Sequence, residues 1–133
     1  MPKCAAGRYE TIQWLMFQIG GIGSMFGQLG FFHKFAGSSF DDTRPRDRYV
    51  VEAKRVLGVL DLRLERSAWI VGDDYGIADI ATFPWGRDLI GSHGAGELVG
   101  FEQFDNVSRA LEAFVERPAL RRGLLIPPAP EAP

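Results

Sequence analysis

Ionisable and nucleophilic side chains are spread along this chain without a spacing that builds an active site. The two histidines, His33 and His93, stand in separate loop-like segments, and no neighbouring Cys, Asp or Glu has the spacing of a metal site. The serines lack the strand–turn–helix setting that presents a nucleophile. The acidic pairs read as turn and cap residues: Asp41, Asp42, Asp73 and Asp74. The residues alone therefore predict no catalytic residue and no metal site.

Composition limits the classes of protein to consider. A chain of 133 residues with 46% apolar residues supports one sizeable core and not two ordinary domains. Lys and Arg number 15 against 17 acids, so no net basic charge favours nucleic acid or an anionic membrane as a partner. The single cysteine, Cys4, excludes an internal disulfide framework. It is either a reactive thiol or an exposed bystander near the terminus.

The stretch from Trp69 to Trp85 organises the rest of the chain. Gly72, Asp73 and Asp74 form a turn, and the run that follows is almost wholly apolar. A helix with so little polar surface is expected to be buried on most sides. The pattern therefore predicts a central helix from Ile77 to Trp85, with Ile80 buried.

The start of that helix carries a capping signature. With Gly76 as the N-cap, Asp79 falls at the third helical position, where its carboxylate can accept the backbone N–H of the cap residue. Tyr75 and Ile80 have the spacing of a hydrophobic staple. We interpret Gly76 and Asp79 as a structural helix cap.

The first apolar segment, Gly7 to Phe32, carries no charge between Glu10 and His33. Its length and its GxxxG pair require a transmembrane helix to be weighed. Three glutamines and five glycines between Glu10 and His33 favour instead a buried helix of a soluble protein that loosens near Gly20 and Gly21. The glycines allow close approach of another helix or of a ligand.

Further helices follow from apolar periodicity. A helix is predicted over residues 45–66, capped by Asp42 or Thr43. Its buried apolar stripe is predicted to be Tyr49, Ala53, Val56, Leu57, Leu60 and Leu64. Its wet side is predicted to be Glu52, Lys54, Arg55, Asp61, Arg63 and Glu65. Residues 33–43 and the glycine-rich segment after Asp88 are predicted to be loops. Asp105 or Asn106 is expected to cap a short amphipathic helix, and Pro118 to open another. The result is an all-α bundle of about five to six helices over residues 1–126, with a Pro-rich disordered tail at 127–133.

The capping pattern Gly-x-x-Tyr-Gly-Ile-Ala-Asp-Ile resembles that of the all-helical C-terminal domain of cytosolic glutathione transferases, although Gly76 replaces the Ser or Thr of the family. The run from Gln13 to Gln28, with the later Arg48–Tyr49 pair, is similar to the bacterial Nu class of these enzymes. This class is the disulfide-bond oxidoreductase branch related to a yeast prion protein. The similarity covers residues 8 to 126.

The resemblance implies a role for two residues. In the family, the arginine of the Arg–Tyr pair contacts glutathione, and the glutamine before Trp reaches a glutathione held by the neighbouring subunit. Carried over, these are Arg48 and Gln13. A guanidinium can hold a carboxylate with two hydrogen bonds, and an amide offers both a donor and an acceptor. From the residues alone, the favoured interpretation is that Arg48 lies on a solvated helix face with Arg44 and Arg46. The resemblance also implies glutathione as co-substrate, a homodimer through the first two helices and a cytoplasmic location.

Members of the family carry a thioredoxin-like domain of about eighty residues before the matching region, and here only MPKCAAG precedes it. Two classes of function follow. One is the helical half of a glutathione-dependent transferase or disulfide reductase, incomplete as a catalyst alone, which is either a fragment or the partner of a thioredoxin-like domain supplied in trans. The alternative is a stand-alone, non-catalytic helical module that dimerises or binds an apolar ligand. The DNA just upstream of Met1 distinguishes the two classes, because the first predicts an in-frame or frameshifted thioredoxin-like segment there.

Overall fold

The computed structural model describes residues 1–126, and this part of the chain is all-helical, as predicted. The predicted tail at 127–133 lies outside the described residues. A single bridge, between Trp69 and Gly72, is the one strand-like pairing within residues 1–126. The α-helices are α1 (Ala5–Phe17), α2 (Ser24–Gly30), α3 (Arg44–Leu64), α4 (Ile77–Ile90), α5 (Gly96–Val99), α6 (Asp105–Val115) and α7 (Pro118–Gly123).

The first helix is continuous from Ala5 to Phe35 because π-helical stretches, Gln18–Gly23 and Phe31–Phe35, join α1 to α2 and extend it. The wider turn at Gln18–Gly23 coincides with the glycine cluster where the sequence predicted loosening. The predicted loop at 33–43 therefore begins only after Phe35. By length and composition this helix is apolar enough to cross a membrane, and about a third of its most apolar window is buried within the bundle.

Side-chain contacts fix the direction of the neighbouring helices. The first helix and α3 are antiparallel, since Glu10 pairs with Arg63 at one end and Phe32 stacks on Tyr49 at the other. The first helix and α4 are parallel, since Thr11 and Ala78 line one cavity near their starts and His93, just after α4, lies against Gly30. The Trp85 indole lies against Gly23, where an added Cβ would come within 3.2 Å of the ring. The glycines thus serve a close helix contact.

The core lies between these helices. Its aliphatic part on α3 follows the predicted stripe, and α6 contributes a second stripe beneath α4. Aromatic rings link the two layers, with Phe83 and Phe114 at 5.4 Å between centroids. The largest fully buried side chains include Phe26, Phe83, Phe114, Ile22, Leu29, Leu57, Leu64, Ile70 and Leu89.

Helix α4 is central but not buried on most sides, and the prediction for Ile80 was wrong. Ile80 is 53% exposed, so it forms no buried staple with Tyr75. Pro84 lies one turn further along the same exposed face and cannot donate a backbone hydrogen bond to the Ile80 carbonyl. Both residues lie on the exposed face of α4, where water can replace the missing hydrogen bond, and the helix continues through Pro84 to Ile90.

Helix α6 begins at Asp105 and receives its cap from another helix. Asp61 on α3 accepts the backbone N–H of Asn106 at 2.9 Å and that of Val107 at 3.1 Å. Its second oxygen accepts the Asn106 side-chain amide at 3.1 Å. The expectation that Asp105 or Asn106 supplies the cap was wrong. Asp61, predicted on the wet side of its helix, is partly buried by this role.

Candidate functional site

Three arginines at the start of α3 are each paired with a carboxylate. Asp42 precedes the helix and accepts both the backbone N–H of Arg44, at 3.0 Å, and its guanidinium. Arg46 donates to Asp47 through two nitrogens, at 2.9 and 2.7 Å. The hydrogen bonds from Arg44 lower the pKa of Asp42. These two pairs are exposed local contacts.

Arg48, the predicted glutathione contact, belongs to a different arrangement. It lies one helical turn before Glu52, with Nη1 at 2.8 Å from Oε1, while Arg55 reaches the other oxygen of Glu52 through Nε at 2.9 Å. The two arginine side chains are 63% and 57% exposed and that of Glu52 only 18%. The hydrogen bonds from Arg48 and then from Arg55 lower the pKa of Glu52. With two cations and one anion, the group has a net charge of about +1 at neutral pH.

Tyr49, the neighbour of Arg48, is partly covered by the ring of Phe32 at the end of the first helix. Phe32 stacks on it with centroids 5.7 Å apart and planes 12° from parallel. Phe31 and Phe40 lie against Phe32 and keep much of their surface exposed. The start of α3 therefore presents charged donors beside an open aromatic surface.

The two histidines, which stand in separate segments of the sequence, both contact residues across the junction between the first helix and the turn after α4. His33 Nε2 lies 3.3 Å from the carbonyl oxygen of Gly94. His93 is buried with its ring against Gly30 and edge-on to Phe35, and its Nδ1 has no hydrogen-bond partner. Within residues 1–126 no group of three or more His, Cys, Asp or Glu side chains is placed to hold a metal ion. The histidines tie the first helix to the turn after α4.

Gln13 lies far from Arg48 within one chain. It is exposed on α1, nineteen residues before Phe32, the residue that stacks beside Arg48's neighbour Tyr49. At about 1.5 Å of rise per residue, the two positions are separated by on the order of 25 Å along the helix. One copy of the chain does not bring Gln13 and Arg48 to the same ligand.

The cap of α4 is a buried polar site with a structural arrangement. Asp79 is fully buried and accepts the backbone N–H of Gly76 at 2.8 Å and that of Ile70 at 2.9 Å. Burial raises the pKa of Asp79, and the two backbone hydrogen bonds oppose that rise. Arg117 lies over the Tyr75 ring at 3.5 Å. Asp79 thus joins the preceding turn to the start of α4.

Two concavities large enough to hold a small ligand lie away from Arg48. A cavity of about 440 Å³ opens between the N-terminal segment and the start of α4, beside Glu10, Thr11 and Tyr75. A shallow groove of about 240 Å³ runs between the outer faces of α4 and α6. Apolar and charged side chains line it: Arg87, Ile90, Leu111, Glu112, Val115 and Glu116. Neither concavity is lined by Gln13 or Arg48.

Comparison with known proteins agrees with this fold. The family model of the glutathione S-transferase C-terminal domain matches residues 25–118, and the chain belongs to this family. The disulfide-bond oxidoreductase YghU of Escherichia coli is 33% identical over 128 residues, which is 95% of this chain and 44% of that protein.

Two solved structures are similar over almost the whole chain. A glutathione transferase from Burkholderia graminis, with two glutathione molecules bound per subunit, is 67% identical with a TM-score of 0.94. The match covers 98% of this chain and 54% of that one. A glutathione transferase from Pseudomonas putida, with one glutathione disulfide bound per subunit, is 57% identical with a TM-score of 0.91, and the match covers 96% and 55%. The chain spans about half the length of these relatives.

Sequence reasoning missed the partners of its own candidate residues. Glu52 was assigned to the wet face of α3, although its spacing from Arg48 and Arg55 is that of helical ion pairs. That spacing was the available signal. No signal in the sequence indicated that Asp61 would cap a helix 45 residues later.

Proposed function

We propose that this chain is the helical half of a glutathione-dependent enzyme of the disulfide-bond oxidoreductase branch, the Nu class. In this proposal Arg48 contacts glutathione, and the chain is incomplete as a catalyst alone. The observation that carries it is the 67% identity, over 98% of the chain, to a transferase with two bound glutathiones. The open side of the Arg48 guanidinium is compatible with a carboxylate of the tripeptide.

A homodimer accounts for the distance between Gln13 and Arg48. Residues 1–126 form the domain, and its first helix and α3 each expose large apolar side chains: Tyr9, Ile12, Met16, Ile19, Val51, Val59 and Leu62. Exposed apolar patches of this kind are commonly covered by a partner. Gln13 lies on the same stripe of α1 as Ile12 and Met16. A second copy packed on this face would receive Gln13 at its glutathione, as the family resemblance implies.

A thioredoxin-like domain, in the same polypeptide or in a second chain, completes the site in this proposal. Relatives are about twice as long as the matched region. We expect the additional part of each relative to pack against a surface of this domain. The groove between α4 and α6 and the exposed Ile80 and Pro84 give such a surface. We place the assembled protein in the cytoplasm, where glutathione keeps thiols reduced.

The proposal is tested with a chimera that has the length of the relatives. The part of the Burkholderia graminis transferase that precedes the matched region is fused to this chain, and glutathione-dependent reduction of a small disulfide is measured. We expect turnover by the chimera, a marked loss with Arg48→Ala, and no turnover by the 133-residue chain alone. Robust turnover by the chain alone, lost on Arg48→Ala, would refute its incompleteness.

Dimerisation is measured separately. Sedimentation of the 133-residue chain at micromolar concentration is expected to show a dimer, and Met16→Glu is expected to shift it to a monomer. The control is Lys54→Glu, which also introduces a glutamate at an exposed position but replaces none of the apolar side chains of the proposed interface. A monomer of the unmodified chain would remove the dimer from the proposal.

A further inference from the structure

We propose that Glu52 is a positioning residue that holds Arg48 in the orientation used for glutathione. This inference rests on the proposed role of Arg48. Glu52 makes no expected contact with glutathione itself, so its effect passes through the guanidinium of Arg48.

The geometry gives Glu52 the fixed position in the group. Its side chain is mostly covered, whereas both arginines extend into solvent. A long exposed arginine has many rotamers, and ordering it on a ligand costs conformational entropy. The carboxylate of Glu52 reduces that cost by holding Nη1 of Arg48 at 2.8 Å before a ligand arrives.

The arrangement leaves donors free for a ligand. A guanidinium has five N–H groups, and the ion pair of Arg48 with Glu52 is made through Nη1. Nε and the second terminal nitrogen form an edge that can meet a carboxylate with two parallel hydrogen bonds.

Arg55 offsets the negative charge of Glu52, which would otherwise weaken the attraction between Arg48 and a carboxylate of the ligand. By donating to the second oxygen of Glu52 at 2.9 Å, it supplies the cation that balances the carboxylate. The group of Arg48, Glu52 and Arg55 therefore retains a net positive charge that attracts an anionic ligand. The neighbouring Arg46–Asp47 pair differs, because within residues 1–126 the second oxygen of Asp47 accepts the uncharged Thr43 hydroxyl, at 3.2 Å, and not a second cation.

The test compares Glu52→Gln with Glu65→Gln. The control removes an acid from the exposed end of the same helix, where Glu65 reaches only Arg66 at 3.8 Å. In the chimera, Glu52→Gln is expected to raise the KM for glutathione about 3- to 10-fold with kcat little changed, because rotamer entropy is a binding term. Glu65→Gln is expected to leave both constants unchanged.

A second readout separates positioning from folding. Nitrogen relaxation of the Arg48 Nε–H in the 133-residue chain is expected to show an ordered group in the unmodified protein and a mobile one in Glu52→Gln, at an unchanged melting temperature. An equally ordered Arg48 in Glu52→Gln overturns the inference.

The kinetic outcomes distinguish this inference from the function on which it rests. If Arg48→Ala raises the KM while Glu52→Gln leaves it unchanged or lowers it, the positioning role is wrong and the proposed function stands. If Arg48→Ala has no effect on the KM, the proposed role of Arg48 is wrong and the inference falls with it.

Discussion

Helices α4 and α6 both start at an aspartate cap, but the two aspartates come from different distances along the chain. Asp79 lies three residues after the Gly76 whose N–H it accepts. Asp61 lies 45 residues before the Asn106 whose N–H it accepts. The free N–H groups of a helix start need acceptors in either case. A local cap can be recognised in the sequence, whereas a cap from another helix depends on how the helices pack.

Removing the local cap is expected to give the largest loss. Asp79→Ala leaves the buried N–H groups of Gly76 and Ile70 without acceptors, which corresponds to about 1 to 3 kcal/mol of unfolding free energy. Chemical denaturation at neutral pH measures it. An unchanged midpoint would show that the cap of α4 has no part in stability.

Removing the long-range cap is expected to cost less, about 1 to 2 kcal/mol, since Asp61 is only partly buried and water can replace it. Asp61→Ala is compared with Asp105→Ala, which changes the exposed acid that opens α6. We expect Asp105→Ala to stay near the unmodified chain. If it were the more damaging of the two, α6 would be capped locally in solution.

The stability difference between the unmodified chain and a variant with a neutral side chain at position 79 is expected to depend on pH. Burial raises the pKa of Asp79 above its ordinary value of 3.8, so the folded chain binds this proton more tightly than the unfolded chain does. The resulting stabilisation is complete below the ordinary pKa and is lost as the pH rises through the folded pKa.

We therefore expect the unfolding free energy of the unmodified chain, minus that of Asp79→Asn, to be larger at about pH 4.5 than at pH 7. Other carboxylates titrate in both proteins and largely cancel in this difference. A difference that grows with rising pH instead would mean that the ionised carboxylate is the favoured form in the fold.

The smallest effect is expected from completing the local capping motif. Gly76 has extended backbone angles, φ −144° and ψ −174°, and an added Cβ would meet no atom closer than 3.9 Å. Gly76→Ser is thus expected to be neutral or stabilising by a few tenths of a kcal/mol. A thermal melt measures the change. A clear loss of stability would show that the turn needs glycine.

The helical fold was predictable because its signals are local. The apolar stripe of α3 and the capping spacing at Asp79 act within one or two turns of helix. Pro118 likewise marked the start of α7. For the candidate site, Arg48 and Gln13 came from a family resemblance, and their roles stay predictions. Residue types and spacing alone did not select them.

Tertiary packing decided the rest, because contacts between distant residues cannot be read from their order. Ile80 is exposed since α4 turns one face outward, although its sequence is as apolar as a buried helix. His93 is buried because Gly30 leaves room for its ring. Whether an apolar residue is covered, and which helix supplies an acceptor, depends on neighbours that only the folded chain brings together.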